Sequence, residues 1–507
     1  MPDAALRRLA LRTLLASFPG TTVPDWACRL LDDGLAGYVL FGYNVGSPSQ
    51  LHDLVARLHE VRADAIVGID EEGGDVTRLA HAEGSRYPGN AALGAVDDTD
   101  LTRRIYQAIG AELHGLGIGL NLAPTVDVNT SDDNPIIGTR SFGVSPELVA
   151  RHAAAAVTGL RDAGVAACAK HFPGHGATIE DSHTELPTVD APLELLRERE
   201  LVPFAAAIAA GVPAVMTAHI RVPSLTGKDP ATLSPSALSL LRNQLGFTGA
   251  ILTDALEMRG ASSEIGIPGS AVRALAAGAD VLCIGARVDA ALVNATADAV
   301  VEAVRDGRLP VARLEQAAAQ AAALAQLPPP ATTGGAVGAA RAFEASANGL
   351  GRLAARRALR VEGTLPRLRK PLLVQIDSPA TIAAGELPWG LASYLLDGAG
   401  SGGAAGAELV RVAPTADADP AHLVATAQDL VATAADRPIL VVSRDTHRHP
   451  YARRLVEQLA AAHPEVVLVE MGWPAAWRPA GLKAYLATYG ASQASSRAAA
   501  AALFTVE

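Results

Sequence analysis

The stretch from Ala169 to Pro187, AKHFPGHGATIEDSHTELP, sets His171, His175 and His183 beside Lys170, Glu180 and Asp181. Side chains of these types transfer protons, bind anions or hold metal ions near neutral pH. His171 and His175 stand four apart, as in a helical zinc pair, but Pro173, Gly174 and Gly176 exclude a continuous helix there. No cysteine or carboxylate completes a familiar ligand spacing, so neither a metal site nor a cofactor is expected. Asp181 and His183 invite a different use. A carboxylate beside an imidazole orients the ring, fixes its tautomer and favours its protonated form, so the pair can give up a proton and later take one back. The glycines of GHG suit a hinge, with EDSH as the tip of a moving loop.

Other charged residues close short apolar runs. Asp70 ends AIVGID, Lys170 and His171 end VAACAKH, His219 ends AVMTAH, Asp254 follows AILT, and Arg140 lies in NPIIGTRSFG. Each has an ordinary structural use as well. Asp254 before ALEM suits a helix N-cap, Lys170 a snorkelling lysine, Asp70 a turn cap, Arg140 a surface ion pair, and His219 a hydrogen-bonded group behind the site. The elements that carry them decide the matter.

Eight near-continuously apolar runs recur: TLLASF, YVLFG, AIVGID, GLNLAP, VAACAK, AVMTAH, AILTDA and DVLCIG. Parallel strands covered on both faces read this way. Between them lie stretches of helical spacing such as SQLHDLVARLHEVRAD. The pattern predicts an α/β fold, a (β/α)8 TIM-type barrel over 1–327. A doubly wound open sheet competes, but no glycine-rich dinucleotide fingerprint follows any strand. In such a barrel the carboxyl ends of the strands line the active site. Asp70, Arg140, Lys170, His171, His219 and Asp254 then gather on one rim.

The proline- and glycine-rich LPPPATTGGAVGAA marks a break. A linker with a helix is expected over 328–365, then a smaller αβα sandwich domain over 366–507. Its strand candidates are LLVQID, PILVVSRD, VVLVEM and the terminal LFTVE. Packing and a solvated loop account for SRDTHRHP and the paired tryptophans of MGWPAAW.

Composition narrows the partners. A net charge of −11 over 507 residues argues against nucleic acid and against an anionic membrane surface. Cys28, Cys168 and Cys283 are an odd number, and the latter two sit in apolar runs, so buried free thiols are expected. Arginines interrupt the apolar run of LRRLALRTLLASFPG, no secretory signal is read, and the other runs are too short to span a bilayer; a cytoplasmic protein follows.

IDEEGGDVTR, IIGTRSFG, KHFPGHG, EDSH and LTDALEM, in this order, resemble glycoside hydrolase family 3. KHFPGHG followed by Asp-x-His is similar to that family's β-N-acetylglucosaminidase (β-N-acetylhexosaminidase) branch. The resemblance runs from the N-terminus to the proline-rich break, and the second domain resembles the αβα sandwich of two-domain members. It implies cleavage with retention through a covalent glycosyl-enzyme. Asp254 would be the nucleophile, His183 the general acid/base and Asp181 its electrostatic partner, while Asp70, Arg78, Arg140, Lys170 and His171 would bind the sugar. The implied substrate is a small carbohydrate ending in β-linked GlcNAc, such as a peptidoglycan fragment or muropeptide. Two alternatives stay open: phosphorolysis at the same site with inorganic phosphate as acceptor, and a non-catalytic amino-sugar-binding protein.

Overall fold

The computed structural model describes residues 3–181, 185–262, 265–326, 338–366, 368–381, 383–396, 407–414 and 420–504. The expected barrel strands all form: β1 (Leu14–Ala16), β2 (Gly37–Leu40), β3 (Ile66–Ile69), β4 (Leu120–Asn121), β5 (Ala166–Phe172), β6 (Ala214–Thr217), β7 (Ala250–Thr253) and β8 (Leu282–Cys283). Each runs parallel to its neighbour, in the order β7-β6-β5-β4-β3-β2-β1-β8. A parallel bridge between Leu252 and Val281 brings β7 to the edge of β8 and nearly closes the ring. Every residue of these strands is buried. Leu15, Val39, Ile66, Leu120, Cys168, Met216, Leu252 and Cys283 pack together in one apolar cluster. Full burial of a leucine or isoleucine side chain is worth about 1.5–3 kcal/mol, which is why continuous apolar runs rather than alternating ones make such strands.

The outer helices follow from local signals. Ser47 accepts from Gln50 N at 3.2 Å and caps the helix Pro48–Val61, whose buried stripe is Leu51, Leu54, Val55 and Leu58. Ser145 caps Pro146–Asp162 in the same way. Among the described residues, no helix is long and apolar enough to cross a membrane.

The second sheet contains β9 (Arg360–Gly363), β10 (Leu372–Ile376), β11 (Glu408–Val412), β12 (Ile439–Ser443), β13 (Val466–Glu470) and β14 (Ala484–Ala487). Its order is β11-β10-β12-β13-β14-β9, parallel except for the antiparallel pairing of β9 with β14. One face packs on Ala499, Leu503 and Phe504 of the helix Gln493–Phe504, the other on Ala427, Leu430, Leu455 and Leu459 of the helices Pro420–Ala434 and Pro450–Ala462. This is the αβα sandwich.

Several details differ from the expectations. Of the terminal LFTVE, Leu503 and Phe504 end the alanine-rich helix Gln493–Phe504, where helix propensity and an apolar face prevail, and 505–507 lie outside the described residues. The segment expected as a linker with a helix gives the helix Gly338–Ala358 and then β9, an edge strand of the second sheet; 327–337 lie outside the described residues. Two compact units divide the chain, but not at a single point. One comprises 1–72, 98–137 and 141–335; the other takes 73–97 and 138–140 together with 336–507.

Candidate active site

In the barrel unit, β3 ends at Ile69 and the chain turns through Asp70, Glu71 and Glu72. Reciprocal amide contacts hold this turn: Glu71 N donates to Asn121 Oδ1 at 3.0 Å, and Asn121 Nδ2 donates to the Glu71 carbonyl at 2.9 Å. Lys170 of β5 reaches across with Nζ 2.6 Å from Asp70 Oδ1 and 2.8 Å from Glu72 Oε1. Thr125 donates its hydroxyl to Glu72 Oε2 at 3.1 Å. The Lys170 side chain is only 2% exposed, so it does not snorkel to water. Burying one ammonium costs several kcal/mol, and two carboxylates at hydrogen-bonding distance offset that cost.

The pairing of β5 with β6 shifts register between Lys170 and Phe172. Such irregularities re-aim side chains. Lys170 turns to Asp70 and Glu72, whereas His171 turns to Asp127, with Nδ1 2.7 Å from Asp127 Oδ2. Asp127 Oδ1 also accepts from His175 N at 2.6 Å and His171 N at 3.3 Å. Burial pushes the Asp127 carboxyl up, but the neighbouring His171 and His175 and these hydrogen bonds carry it below the usual carboxylate range. Asp127 therefore stays ionised and fixes the His171 ring, with the proton at Nδ1 directed to the carboxylate.

His175 is buried with Nδ1 2.7 Å from Thr178 Oγ1. Burial brings its pKa down to about 4, so the ring is neutral at physiological pH. The GHG segment is no hinge. Thr130 N donates to the Gly176 carbonyl at 3.1 Å, Asn134 Nδ2 donates to the His175 carbonyl at 2.9 Å, and a Cβ at Gly176 would lie 1.9 Å from the Val128 carbonyl oxygen. Glycine is there because two backbones touch.

Asp254 follows β7. Its N donates to the Thr217 carbonyl at 3.2 Å, its Oδ1 accepts from Ala255 N at 2.8 Å, and its side chain is half-buried. His219, wholly buried, has Nδ1 2.8 Å from Thr232 Oγ1 and Nε2 3.0 Å from the Ala255 carbonyl. A carbonyl only accepts, so the ring carries a proton on Nε2 and fixes the backbone just past Asp254. Asp70 and Asp254 directly follow β3 and β7, and Lys170 stands near the carboxyl end of β5; because these strands run parallel, the three residues share one end of the barrel.

The other candidates divide. Asp181 is described and partly exposed, and its carbonyl accepts from Glu185 N at 3.1 Å; Glu180 accepts from Thr188 N at 3.1 Å. His183 lies outside the described residues. Arg78 and Arg140 belong to the second compact unit. Arg78 Nη2 donates to the Ala383 carbonyl at 2.9 Å, and the Arg140 carbonyl accepts from Asn90 Nδ2 at 2.7 Å. Sequence reasoning missed Glu72 and Asp127. Glu72 stood within the quoted IDEEGG, and Asp127 follows the run GLNLAP at the same strand end where the other carboxylates were sought.

Among the described residues of the barrel unit, Asp70, Glu72, Asp127 and Asp254 bring carboxyl groups to this end, where they can stabilise a centre that gains positive charge. Lys170 and His171 supply donors, and Asp70 and Glu72 acceptors, suited to a polyhydroxylated ligand.

The family model described as the glycosyl hydrolase family 3 N terminal domain matches residues 21–324. A beta-hexosaminidase A of Pseudoalteromonas piscicida is 36% identical over 284 residues, 52% of this chain and 48% of that protein, so the chain spans about half of that relative's length. Beta-hexosaminidase LpqI of Mycobacterium tuberculosis is 35% identical over 301 residues, 57% of this chain and 76% of the relative. A solved glycoside hydrolase family 3 beta-N-acetylglucosaminidase from Paenibacillus sp. str. FPU-7 superposes with a TM-score of 0.83 at 32% identity, covering 99% of this chain and 97% of that one.

Proposed function

The chain belongs to glycosyl hydrolase family 3, and from that premise we propose a retaining exo-β-N-acetylglucosaminidase that releases terminal β-linked GlcNAc. The observation that carries the reading is the set of Asp254, Asp70 and Lys170 at the carboxyl ends of parallel strands, on one end of the barrel. The names of the relatives support an amino-sugar substrate.

In this reading Asp254 attacks the anomeric carbon and forms a glycosyl ester, while His183 protonates the departing oxygen. The neutral imidazole then takes a proton from water, whose oxygen displaces the Asp254 carboxylate and restores both groups. Two inversions give net retention. Asp181 favours the protonated ring before each cycle. Asp70, Lys170 and His171 hold the sugar hydroxyls, with Glu72 and Asp127 fixing Lys170 and His171; Arg78 and Arg140 complete the sugar-binding set that the family resemblance implies. His219 steadies the backbone beside Asp254. The Asp254 carboxylate, close to the anomeric carbon, stabilises the oxocarbenium-like transition state. The natural substrate in this proposal is a GlcNAc-terminated oligosaccharide such as a peptidoglycan fragment.

Turnover of 4-nitrophenyl β-GlcNAc, with the product anomer followed by NMR, tests the reading. Release of the β-anomer first, with loss in Asp254→Asn of at least about a thousandfold in kcat, is expected. Ordinary turnover by Asp254→Asn, or first release of the α-anomer, sinks the nucleophile assignment. Running the same assay with inorganic phosphate identifies the acceptor, since phosphorolysis yields a sugar 1-phosphate in place of free GlcNAc.

A further inference from the structure

Asp70, Lys170 and Asp254 each stand two residues past an interior position of the barrel: Gly68, Cys168 and Leu252. Cys168 and Leu252 lie in the apolar cluster that fills the barrel, and a Cβ at Gly68 would lie 3.4 Å from Leu120 and 3.7 Å from Val39 of that cluster. Side chains two apart in extended chain share a face, so the three charged residues form the next layer up. Phe41 joins that layer. It is two past Val39, packs against the same cluster, and follows Leu40, the register partner of the Ile69 that precedes Asp70. Between β2 and β7 the layer is completed by Ser17 and Gly285, two past the register partners Leu15 and Cys283. The Ser17 hydroxyl is spent on the Gly285 carbonyl at 2.8 Å. On this arc of the mouth, then, Phe41 is the large side chain of the layer.

Phe41 is not alone. It is partly exposed, and Tyr43, 41% exposed, stacks on it with ring centroids 5.5 Å apart and planes 16° from parallel. The Tyr43 hydroxyl donates to the Ala286 carbonyl, in the segment after β8. Ala286 N in turn donates to Glu257 Oε1 at 2.6 Å, which ties that segment to the chain leaving Asp254. Asn44, wholly buried, holds the turn between the two rings: its Oδ1 accepts from Phe41 N at 2.9 Å, and its Nδ2 donates to the carbonyls of Phe18 and Gly20 at 2.9 and 2.7 Å. Burying these rings would stabilise the fold, yet the turn holds them at the mouth with surface left over. Fixed, exposed aromatic faces beside convergent polar groups are what a ligand with apolar C–H faces packs on.

Position decides which part of the substrate the rings meet. The groups that hold hydroxyls, Asp70, Lys170 and His171, belong to the ends of β3 and β5, and Lys170 is only 2% exposed. A terminal sugar held by them sits deep, with its polar edges already satisfied. The aromatic pair lies on the other side of Asp70, on β2, and exposure rises from Phe41 to Tyr43 as the chain leaves the barrel. The pair therefore faces what extends outward from the terminal sugar. We propose that Phe41 and Tyr43 form a platform for the leaving group, packing on the C–H face of a cyclic alcohol, so that the site selects β-GlcNAc conjugates whose aglycone is itself a ring, a second saccharide above all. This inference rests on the glycosidase reading given above.

N,N′-diacetylchitobiose and methyl β-GlcNAc both release an alcohol, the first a sugar ring and the second methanol. The kcat/KM for the disaccharide divided by that for the methyl glycoside is the readout, because a merely structural loss cancels in it. Phe41→Ala and Tyr43→Ala should each lower this ratio at least about tenfold, whereas Tyr43→Phe, which keeps the ring, should lower it by less than about threefold. Should Phe41→Ala fail to fold, Phe41→Leu replaces it, keeping an apolar contact with the core but no flat face. A ratio unchanged in the alanine variants, whether both substrates lose equally or neither does, overturns the proposal. Wild-type turnover of neither substrate counts against the glycosidase reading instead. The platform is then read from calorimetric affinities for the thio-linked disaccharide and the methyl thioglycoside: a preference for the disaccharide that falls about tenfold in Tyr43→Ala sustains it, and an unchanged preference overturns it.

Discussion

Lys170 is the residue on which the barrel site balances. Its ammonium lies 2.6 Å from one carboxylate and 2.8 Å from another. Lys170→Met removes the ammonium that both Asp70 and Glu72 contact, and breaking a buried pair in this way costs about 3–5 kcal/mol. Thermal denaturation should show that loss. Replacing Glu72 as well, in Lys170→Met/Glu72→Gln, should recover part of it, because the two changes share one network; strictly additive losses would mean the groups do not interact. His175 gives a pH signature. Its folded pKa of about 4 lies below the unfolded value near 6.5, so below pH 6.5 the unfolded chain binds the extra proton first. Its contribution is complete above pH 6.5 and drains away as pH falls toward 4, by an amount on the order of 3 kcal/mol. His175→Asn, which keeps a donor toward Thr178, should flatten the melting temperature across that window; an unchanged slope would place the acid sensitivity elsewhere.

The loop after β5 is set by backbone contact. Gly176→Ala forces a Cβ into the Val128 carbonyl, 1.9 Å away, so either the segment around Asp127 or the chain leading to Asp181 must shift. A cost of about 1–3 kcal/mol is expected, with a fall in kcat/KM because Asp127 fixes His171; calorimetric melts and turnover of an aryl glycoside measure both. The same physics decides how legible the elements were. The eight barrel strands could be read because both of their faces are covered, which writes a continuous apolar run into the chain. In the second sheet β10, β12 and β13 could be read for the same reason. β9 is RVEG with Arg360, Val361 and Gly363 exposed, and β11 is ELVRV at the opposite edge, so neither carries that signal; β14 is a buried AYLA as long as β2 or β7, and its apolar run was passed over. Asp70, Lys170 and Asp254 were legible as charges ending apolar runs. Asp127 was not, because residues 122–126 separate it from β4 and its burial comes only from folding.

Whole-chain organisation sets a limit on dissection. Although 73–97 and 138–140 fall between barrel elements in sequence, their contacts are with the second unit. Asp75 accepts from Ala491 N at 2.8 Å and from the Thr139 hydroxyl at 2.7 Å, and lies 3.3 Å from Arg444; Ala91 packs in a small cluster with Trp473 and Ala475. Arg78 and Arg140 ride on these two segments. A chain ended after Gly335 therefore strips Asp75 of two of these partners, Ala91 of its cluster and Arg78 of the Ala383 carbonyl, leaving charged and apolar groups to find water. Cutting at the proline-rich break should give not an independent catalytic barrel but a protein with a lower melting temperature and at least about tenfold less turnover of an aryl β-GlcNAc. Trp473→Ala in the intact chain tests the cause with the second unit still present. Removing a buried tryptophan costs about 3–5 kcal/mol, and the loss should appear as accelerated proteolysis around residues 73–97 together with a raised KM. Full stability and turnover in the shortened chain would show that the barrel holds those segments without the second unit.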